Sequence, residues 1–144
     1  MGYQEALEAA GAKVIDSLYT GSYQGSWGSI VELHGIKGLV TGAYGSCSGC
    51  DSFQAEFDYD TKPKIKDGKY YINGNTWDEE DAVTYEVYET ALAAYNKKLS
   101  DFGAYYLKQI FNKQDIENKI ASFKDDDWFD TEEKELYDWA IKFF

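Results

Sequence analysis

The sequence contains no arginine, and this absence restricts what the protein can bind. All 14 basic residues of the 144-residue chain are lysines, and 26 acidic residues give a net charge of −12. Without arginine the chain lacks the planar fork that binds phosphate groups and guanine edges through two hydrogen bonds at once. The negative charge also repels phosphate backbones and anionic lipid head groups. We therefore expect no direct binding to nucleic acid or membranes, and a protein partner with a basic groove instead.

The chain is also poor in proline, histidine and cysteine, and it has no long apolar run. It contains one proline, one histidine and two cysteines. No apolar stretch approaches the roughly 18 to 20 residues that span a bilayer. Its start, MGYQEALEAAGAK, has acidic residues where a signal peptide needs a basic region and an apolar core, so we expect a protein that is not secreted. Hydrophobic residues make up 44%, which suffices for the core of a single domain spanning residues 1–144.

The first half of the chain has the composition of β-structure. Eight glycines between positions 21 and 49 separate short runs of β-branched and aromatic residues. Farther on, Asp67-Gly68 supplies the positive φ angles of a two-residue hairpin turn. These signals predict a short helix at 3–10, strands at about 13–19, 27–34 and 36–44, and a hairpin of two strands at 64–66 and 69–72.

The second half has helical spacing. Thr76 and Glu79 form a capping-box pattern, which predicts that a long helix begins there. Apolar residues then recur every three or four positions, and we expect the helix to bend or break near Ser100–Gly103. The apolar positions of this helix are Tyr88, Leu92, Tyr95, Leu99, Phe102, Tyr106 and Ile110.

Two shorter helices are expected after it. The first runs from about 113 to 123, and the second begins at the Asp130/Thr131 cap with Glu133. Their inward-facing residues are Ile116, Ile120 and Phe123 in the first, and Leu136, Trp139, Ala140 and Phe143 in the second.

A β-rich region at 13–75 followed by an α-rich region at 76–144 is typical of the α+β class. We expect an N-terminal antiparallel β-meander with hairpins, followed by about three C-terminal helices packed on one face of the sheet. Residues 1–75 carry nine acids and six lysines, a net charge of −3, whereas residues 76–144 carry seventeen acids and eight lysines, a net charge of −9. The acidic field therefore belongs mainly to the helical half.

The only two cysteines, Cys47 and Cys50, lie in the glycine-rich segment GSCSGCD at 45–51, which has three interpretations. A zinc site would be incomplete, because a structural tetrahedron needs four ligands and the chain offers two thiols, His34 and carboxylates. A redox pair has the right spacing, and a helix at 52–57 would activate the Cys47 thiol, but the preceding elements are wrong for a thioredoxin-like fold. The interpretation that we favour is a tight structural turn with small, packed cysteine side chains.

The tetrapeptide SYQG at 22–25 and the segment YGSCSGCD at 44–51, followed by FQA at 53–55, form a pattern within about residues 13–57. This pattern resembles one shared by small proteins of bacteriophages and prophages. The resemblance implies no catalytic residue, cofactor or binding site. It implies a biological context in the cytoplasm of a bacterial host cell, where small acidic phage proteins often inhibit host defence enzymes, including nucleases and CRISPR effectors.

Acidic residues and the single histidine suggest chemistry only weakly. Glu56, Asp58 and Asp60 would project from one face if their segment were a strand, and could then hold a divalent cation, but the acids do not have calcium-loop spacing and a solvated face is the favoured interpretation. His34 has no recognisable nucleophile partner and is expected to be a loop residue. No catalytic residue, metal ligand or cofactor is therefore predicted.

The predicted partner-binding residues are Asp125, Asp126, Asp127, Trp128 and Phe129, in a segment expected to be an interhelical loop. Acids in this arrangement can imitate phosphate charge, and aromatic side chains are favoured anchors in protein interfaces. The resulting hypothesis is a small acidic protein-binding module, an inhibitor of a host defence or nucleic-acid-processing protein of the anti-CRISPR or nucleic-acid-mimic type. The alternative is a thiol-redox or zinc-linked protein centred on Cys47 and Cys50.

Overall fold

The computed structural model describes residues 2–21, 24–45, 51–57, 63–72, 83–123 and 128–144, with the backbone alone at residue 66 and residues 128–131. Helices and strands follow one another from a β-rich half to an α-rich half, so the α+β class is confirmed. The elements are α1 (Tyr3–Ala9), β1 (Lys13–Gly21), β2 (Gly25–Leu33), β3 (Ile36–Tyr44), α2 (Ser52–Phe57), β4 (Lys64–Lys66), β5 (Lys69–Tyr71), β6 (Thr84–Tyr85), α3 (Tyr88–Leu107), α4 (Lys113–Ser122) and α5 (Trp128–Ile141).

The main sheet is an antiparallel meander of β1, β2 and β3 in that order, as expected from the glycine-separated runs. The β2–β3 hairpin pairs Leu33 with Ile36 and turns through His34 and Gly35, whose φ angles are 53° and 79°. Positive φ at both central positions is typical of a turn whose twist matches the flanking strands. His34 is therefore an exposed turn residue, as expected.

One face of the main sheet packs against α1 and α3. The ring of Tyr3 in α1 stacks on Trp27 of β2 with centroids 4.7 Å apart, and Leu99 of α3 lies in the same apolar cluster. The two helices touch through their backbones at Gly103, where a Cβ atom would clash with the Ala6 carbonyl oxygen. Glycine is required there because no side chain fits between the helices.

The other face of the main sheet packs against α4 and α5. Neighbouring residues of a strand point to opposite faces, and Ile30 and Leu39 accordingly cluster with Ile116 of α4 and Ala140 of α5. The chain crosses from the first face to the second at the edge of β3, where Phe111 pairs with Leu39. The three C-terminal helices therefore do not share one face, as was expected of them, because α3 covers one side of β2 and α4 and α5 cover the other.

A second, smaller antiparallel sheet is formed by β4, β5 and β6 in that order. Asp67 and Gly68 make the turn between β4 and β5, with φ angles of 53° and 75°. The hairpin predicted from the Asp-Gly pair is thus confirmed. The third strand, β6, pairs Tyr85 with Tyr70 and was not predicted.

The start of the long helix differs from the prediction. Helix α3 begins at Tyr88, directly after β6 and the extended residue Val87, so no continuous helix runs from Thr76. Residues 76 and 79 lie outside the described residues. Helix α3 also continues without interruption through Ser100–Gly103, because Gly103 serves close contact with α1 and does not end the helix.

The two C-terminal helices are found where they were expected, with one change of boundary. Helix α4 begins after Asn112, whose side chain accepts a hydrogen bond from the Asp115 N–H in a reciprocal capping box. Helix α5 begins at Trp128 and not at the Asp130/Thr131 cap. Among the described residues, no helix is both long and apolar enough to cross a membrane.

Candidate functional site

Helix α5 carries four acidic residues whose side chains the structure describes. Leu136, Tyr137 and Ala140 are buried, and a Cβ atom on Gly28 of β2 would lie 2.7 Å from Leu136, so this side of α5 packs directly on the sheet. The acidic side chains that precede and flank the buried residues are nevertheless accessible to solvent. We call the following residues the acidic ridge: Glu132, Glu133, Glu135 and Asp138, of which the first three are exposed.

The acidic ridge continues the region that the sequence marked as partner-binding. Asp125, Asp126 and Asp127 lie outside the described residues. Trp128 and Phe129 form the first turn of α5, which corrects the expectation of a loop, and the structure describes only their backbone. The ridge glutamates were not singled out from the sequence. Helical spacing does not identify Glu132 and Glu133 as exposed, because they lie one turn before the buried Leu136 and Tyr137, on the same side of the helix.

A groove separates α5 from β1 and runs along one side of the acidic ridge. It is open to solvent and encloses about 560 Å³. Its apolar wall consists of Leu18 of β1 and Trp139 of α5, whose ring packs edge-on against Phe143 with centroids 5.2 Å apart. The polar part of the lining comes from α5 and the residue that follows it: Lys134, Glu135, Asp138 and Lys142.

The small sheet presents a separate apolar surface. Ile65, Tyr70 and Tyr85 are aligned across the three strands, so their side chains lie on one face. The ring of Tyr88 packs edge-on against Tyr70 at 5.6 Å, and Ile65 is 64% exposed. We call this surface the tyrosine face: Ile65, Tyr70, Val83, Tyr85, Val87 and Tyr88.

Cys47 and Cys50 lie outside the described residues, but the two residues that flank their segment are described. The Gly45 N–H donates to Oδ2 of Asp51 at 3.0 Å, and the Gln54 side-chain amide donates to the Gly45 carbonyl at 3.1 Å. These bonds tie the end of β3 to the start of α2. We call the pair Gly45 and Asp51 the clasp.

Asp51 is the centre of a buried hydrogen-bond network. Its side chain is 2% exposed and accepts from the Tyr3 hydroxyl at 2.6 Å and from the backbone N–H groups of Phe53 and Gln54. Burial, together with this bond to Asp51, raises the pKa of Tyr3 far above its ordinary value. Asp51 thus caps α2 and joins it to α1, which is a structural role.

The other acids suspected of holding a cation are not arranged on a strand. Glu56 lies in α2, where it forms an ion pair with Lys98 at 3.3 Å, and Asp58 and Asp60 lie outside the described residues. The alternating-strand interpretation is therefore wrong at Glu56. Within the described parts of the chain, no group of three or more His, Cys, Asp or Glu residues is placed to hold a metal ion.

Comparisons of this chain with protein-family models, with curated proteins and with solved structures gave no match. Any functional conclusion must therefore come from the residues themselves.

Proposed function

We propose that this protein is a non-enzymatic protein-binding module that presents the acidic ridge of α5 to a basic groove on a nucleic-acid-processing protein. Such an activity fits an inhibitor of a host defence enzyme, the context that the resemblance to phage proteins implies. The observation that carries the proposal is the exposure of Glu132, Glu133 and Glu135 on a helix that Leu136, Tyr137 and Ala140 fix in the core.

The rigid seating of α5 is what makes its charge useful for recognition. Acids held at fixed positions attract a basic groove over about a Debye length, near 8 to 10 Å at physiological salt, and so accelerate association. The excess of acids over lysines in residues 76–144, net −9, strengthens this attraction. Trp128 and Phe129, at the first turn of the same helix, would supply the aromatic anchors that limit dissociation.

The first experiment is a pull-down from host lysate with the tagged full-length protein, followed by mass spectrometry. A partner captured in this way is then tested against the ridge variant Glu132→Gln, Glu133→Gln, Glu135→Gln. A matched control removes three exposed acids elsewhere, with Glu86→Gln, Glu89→Gln and Glu117→Gln, and changes the net charge equally.

We expect the ridge variant to slow association by about tenfold or more and the control by less than about threefold. Nucleic acid that binds the partner should compete with the protein for the same groove. Equal effects of the two variants would contradict the proposal, since general charge and not the ridge would then drive binding.

A further inference from the structure

We propose that the outer edge of β1 accepts an extended, basic segment of the partner as an additional antiparallel strand, with alternate side chains entering the groove beside α5. This inference rests on the proposed function as a protein-binding module, and it adds the chemistry and the conformation of the segment that is recognised. It corresponds to the mode in which a peptide extends an existing sheet through main-chain hydrogen bonds.

The two edges of the main sheet differ in their pairing. At the β3 edge, the Leu39 and Phe111 backbones exchange two hydrogen bonds, at 2.9 and 2.8 Å. On the side of β1 that faces away from β2, none of the described segments pairs with the strand. An edge strand with unpaired N–H and C=O groups is a ready template for another strand.

The hydrogen bonds of β1 establish which of its backbone groups point outward. The Thr20 carbonyl accepts from the hydroxyl of Tyr44 on β3, so the backbone carbonyl of Thr20 points toward β2 and not toward the outer edge. The N–H and C=O of one residue point to the same side and alternate along the strand. The backbone N–H and C=O groups of Ser17 and Tyr19 therefore point away from β2, toward the outer edge of the sheet.

One end of this edge is closed. A bulge between Val14 and Asp16 interrupts the register of β1 with β2, and the Ser17 N–H donates to Oδ1 of Asp16 at 2.9 Å. Bulges and charged side chains are the usual protection of an edge against pairing. Among the described residues, none bonds the Ser17 carbonyl or either backbone group of Tyr19, and these groups lie beside the open groove at Leu18.

The side chains on the two faces of this edge select the sequence of the added strand. On the α5 face, Leu18 and Trp139 form the apolar wall of the groove, which suits leucine or valine. On the α1 face, the Tyr19 hydroxyl donates to Gln4 at 2.7 Å, and Glu5 is exposed in the same helix. With Glu5 on this face, and a net charge of −12 over the chain, the face is complementary to lysine or arginine.

The test uses the full-length protein and an acetylated, amidated heptapeptide in which lysine alternates with leucine or valine. Amide hydrogen exchange measured by NMR reports on each backbone group. In the free protein, we expect the outward-facing Tyr19 amide to exchange at least about a hundredfold faster than those of Leu18 and Thr20. Saturating peptide should slow exchange at Tyr19 by at least about tenfold.

Chemical variants of the peptide test the geometry. In an antiparallel pair, the peptide residue directly opposite Tyr19 has its side chain on the same face as Tyr19, the face expected to select lysine. The N–H and C=O groups of that lysine should therefore form both backbone hydrogen bonds with Tyr19. N-methylation of the lysines should therefore abolish protection at Tyr19, whereas N-methylation of the leucine and valine residues should not. Replacing lysine by glutamate should weaken binding at least about tenfold.

Protein variants test the groove. Leu18→Asn should weaken peptide binding at least about tenfold, while the control Ile36→Asn, at an exposed position of the same sheet, should change it less than about twofold. Protection of the β2 amides verifies that both variants are folded. The proposal is overturned if Tyr19 is already protected in the free protein, if the peptide leaves its exchange unchanged, or if both N-methylated peptides behave alike.

Failure of this inference and failure of the proposed function give different results. A captured partner that responds to the ridge variant but leaves Tyr19 exchange unchanged would refute strand addition alone. Peptide protection of Tyr19, together with a partner that is indifferent to the ridge variant, would refute the acidic-ridge proposal alone.

Discussion

The two β-sheets of this protein are built for different purposes. In the main sheet, five consecutive residues of β2, Trp27–Val31, are buried, because helices cover both faces. In the small sheet, Tyr71 is buried while Ile65 on the opposite face is 64% exposed. Burial on both sides makes the main sheet a scaffold that fixes α5 and β1, whereas the exposed tyrosine face is expected to contribute little to stability.

The largest expected difference between the two sheets comes from truncating one residue in each of them. Leu39→Ala should lower the free energy of unfolding by about 2–5 kcal/mol, because it leaves a cavity between the sheet and α4. Ile65→Ala should cost less than about 0.5 kcal/mol, as is usual for exposed positions. Urea unfolding monitored by circular dichroism measures both, and comparable losses would mean that the small sheet also carries the fold.

The clasp, which flanks the cysteine segment in the sequence, tests the contribution of a buried hydrogen-bond network beside the main sheet. Asp51→Ala removes the acceptor of the Tyr3 hydroxyl and the cap of α2, and should cost about 1–3 kcal/mol. Ser52→Ala removes an exposed bond to Tyr106 at 2.8 Å and a longer bond to the Tyr3 hydroxyl at 3.4 Å, and should cost less than about 1 kcal/mol. An Asp51→Ala variant as stable as wild type would show that the network does not hold α1 and α2 together.

Tyr95 tests how strictly the core under α3 excludes charge. Its hydroxyl is buried without a hydrogen-bond partner among the described residues, and burial raises its pKa from 10.0 to about 12. The unfolded chain therefore ionises first, and stability from this residue is lost as the pH rises from about 10 to 12. Tyr95→Phe should reduce the loss of unfolding free energy between pH 9 and 11 by about 1 kcal/mol. An unchanged pH profile in alkaline denaturation would place this hydroxyl in contact with water.

The smallest effect is expected at the cysteines. Cys47→Ser combined with Cys50→Ser should change the unfolding free energy by less than about 0.5 kcal/mol and leave partner binding intact, if the segment is a structural turn held by the clasp. Stoichiometric zinc in the purified protein, or binding lost with the thiols, would instead support the thiol or metal alternative.

Local sequence signals predicted those parts of the fold that local chemistry decides. The Asp67-Gly68 turn and the apolar spacing of α3 are such cases. The long helix predicted to begin at Thr76 begins at Tyr88 instead, because the pairing of β6 with β5, a contact between distant residues, precedes it. The packing of helices on both faces of the sheet was missed for a different reason. Gly28 and Ser29 lie in the buried run of β2, so this strand does not read as continuously apolar in the sequence.

The candidate site could be predicted only in part. The acidic character of residues 76–144 is a property of composition. The helical spacing of Leu136 and Ala140 does not place Glu132 and Glu133 on the solvent side, because they lie one turn before the buried residues. The groove and the open edge of β1 depend on α5 lying across a strand more than a hundred positions earlier in the chain. No local pattern encodes that contact.

The most direct test of the central claim is the association rate constant with the captured partner, measured against NaCl concentration for the wild type and for the ridge variant. We expect the wild-type rate to fall steeply as salt rises, and the ridge variant to start lower and fall less. Asp125→Asn, Asp126→Asn and Asp127→Asn together should act in the same direction, while Trp128→Ala should chiefly raise the dissociation rate. Association that is indifferent to salt and to both sets of acid replacements would show that the acidic surface of α5 serves solubility and not recognition.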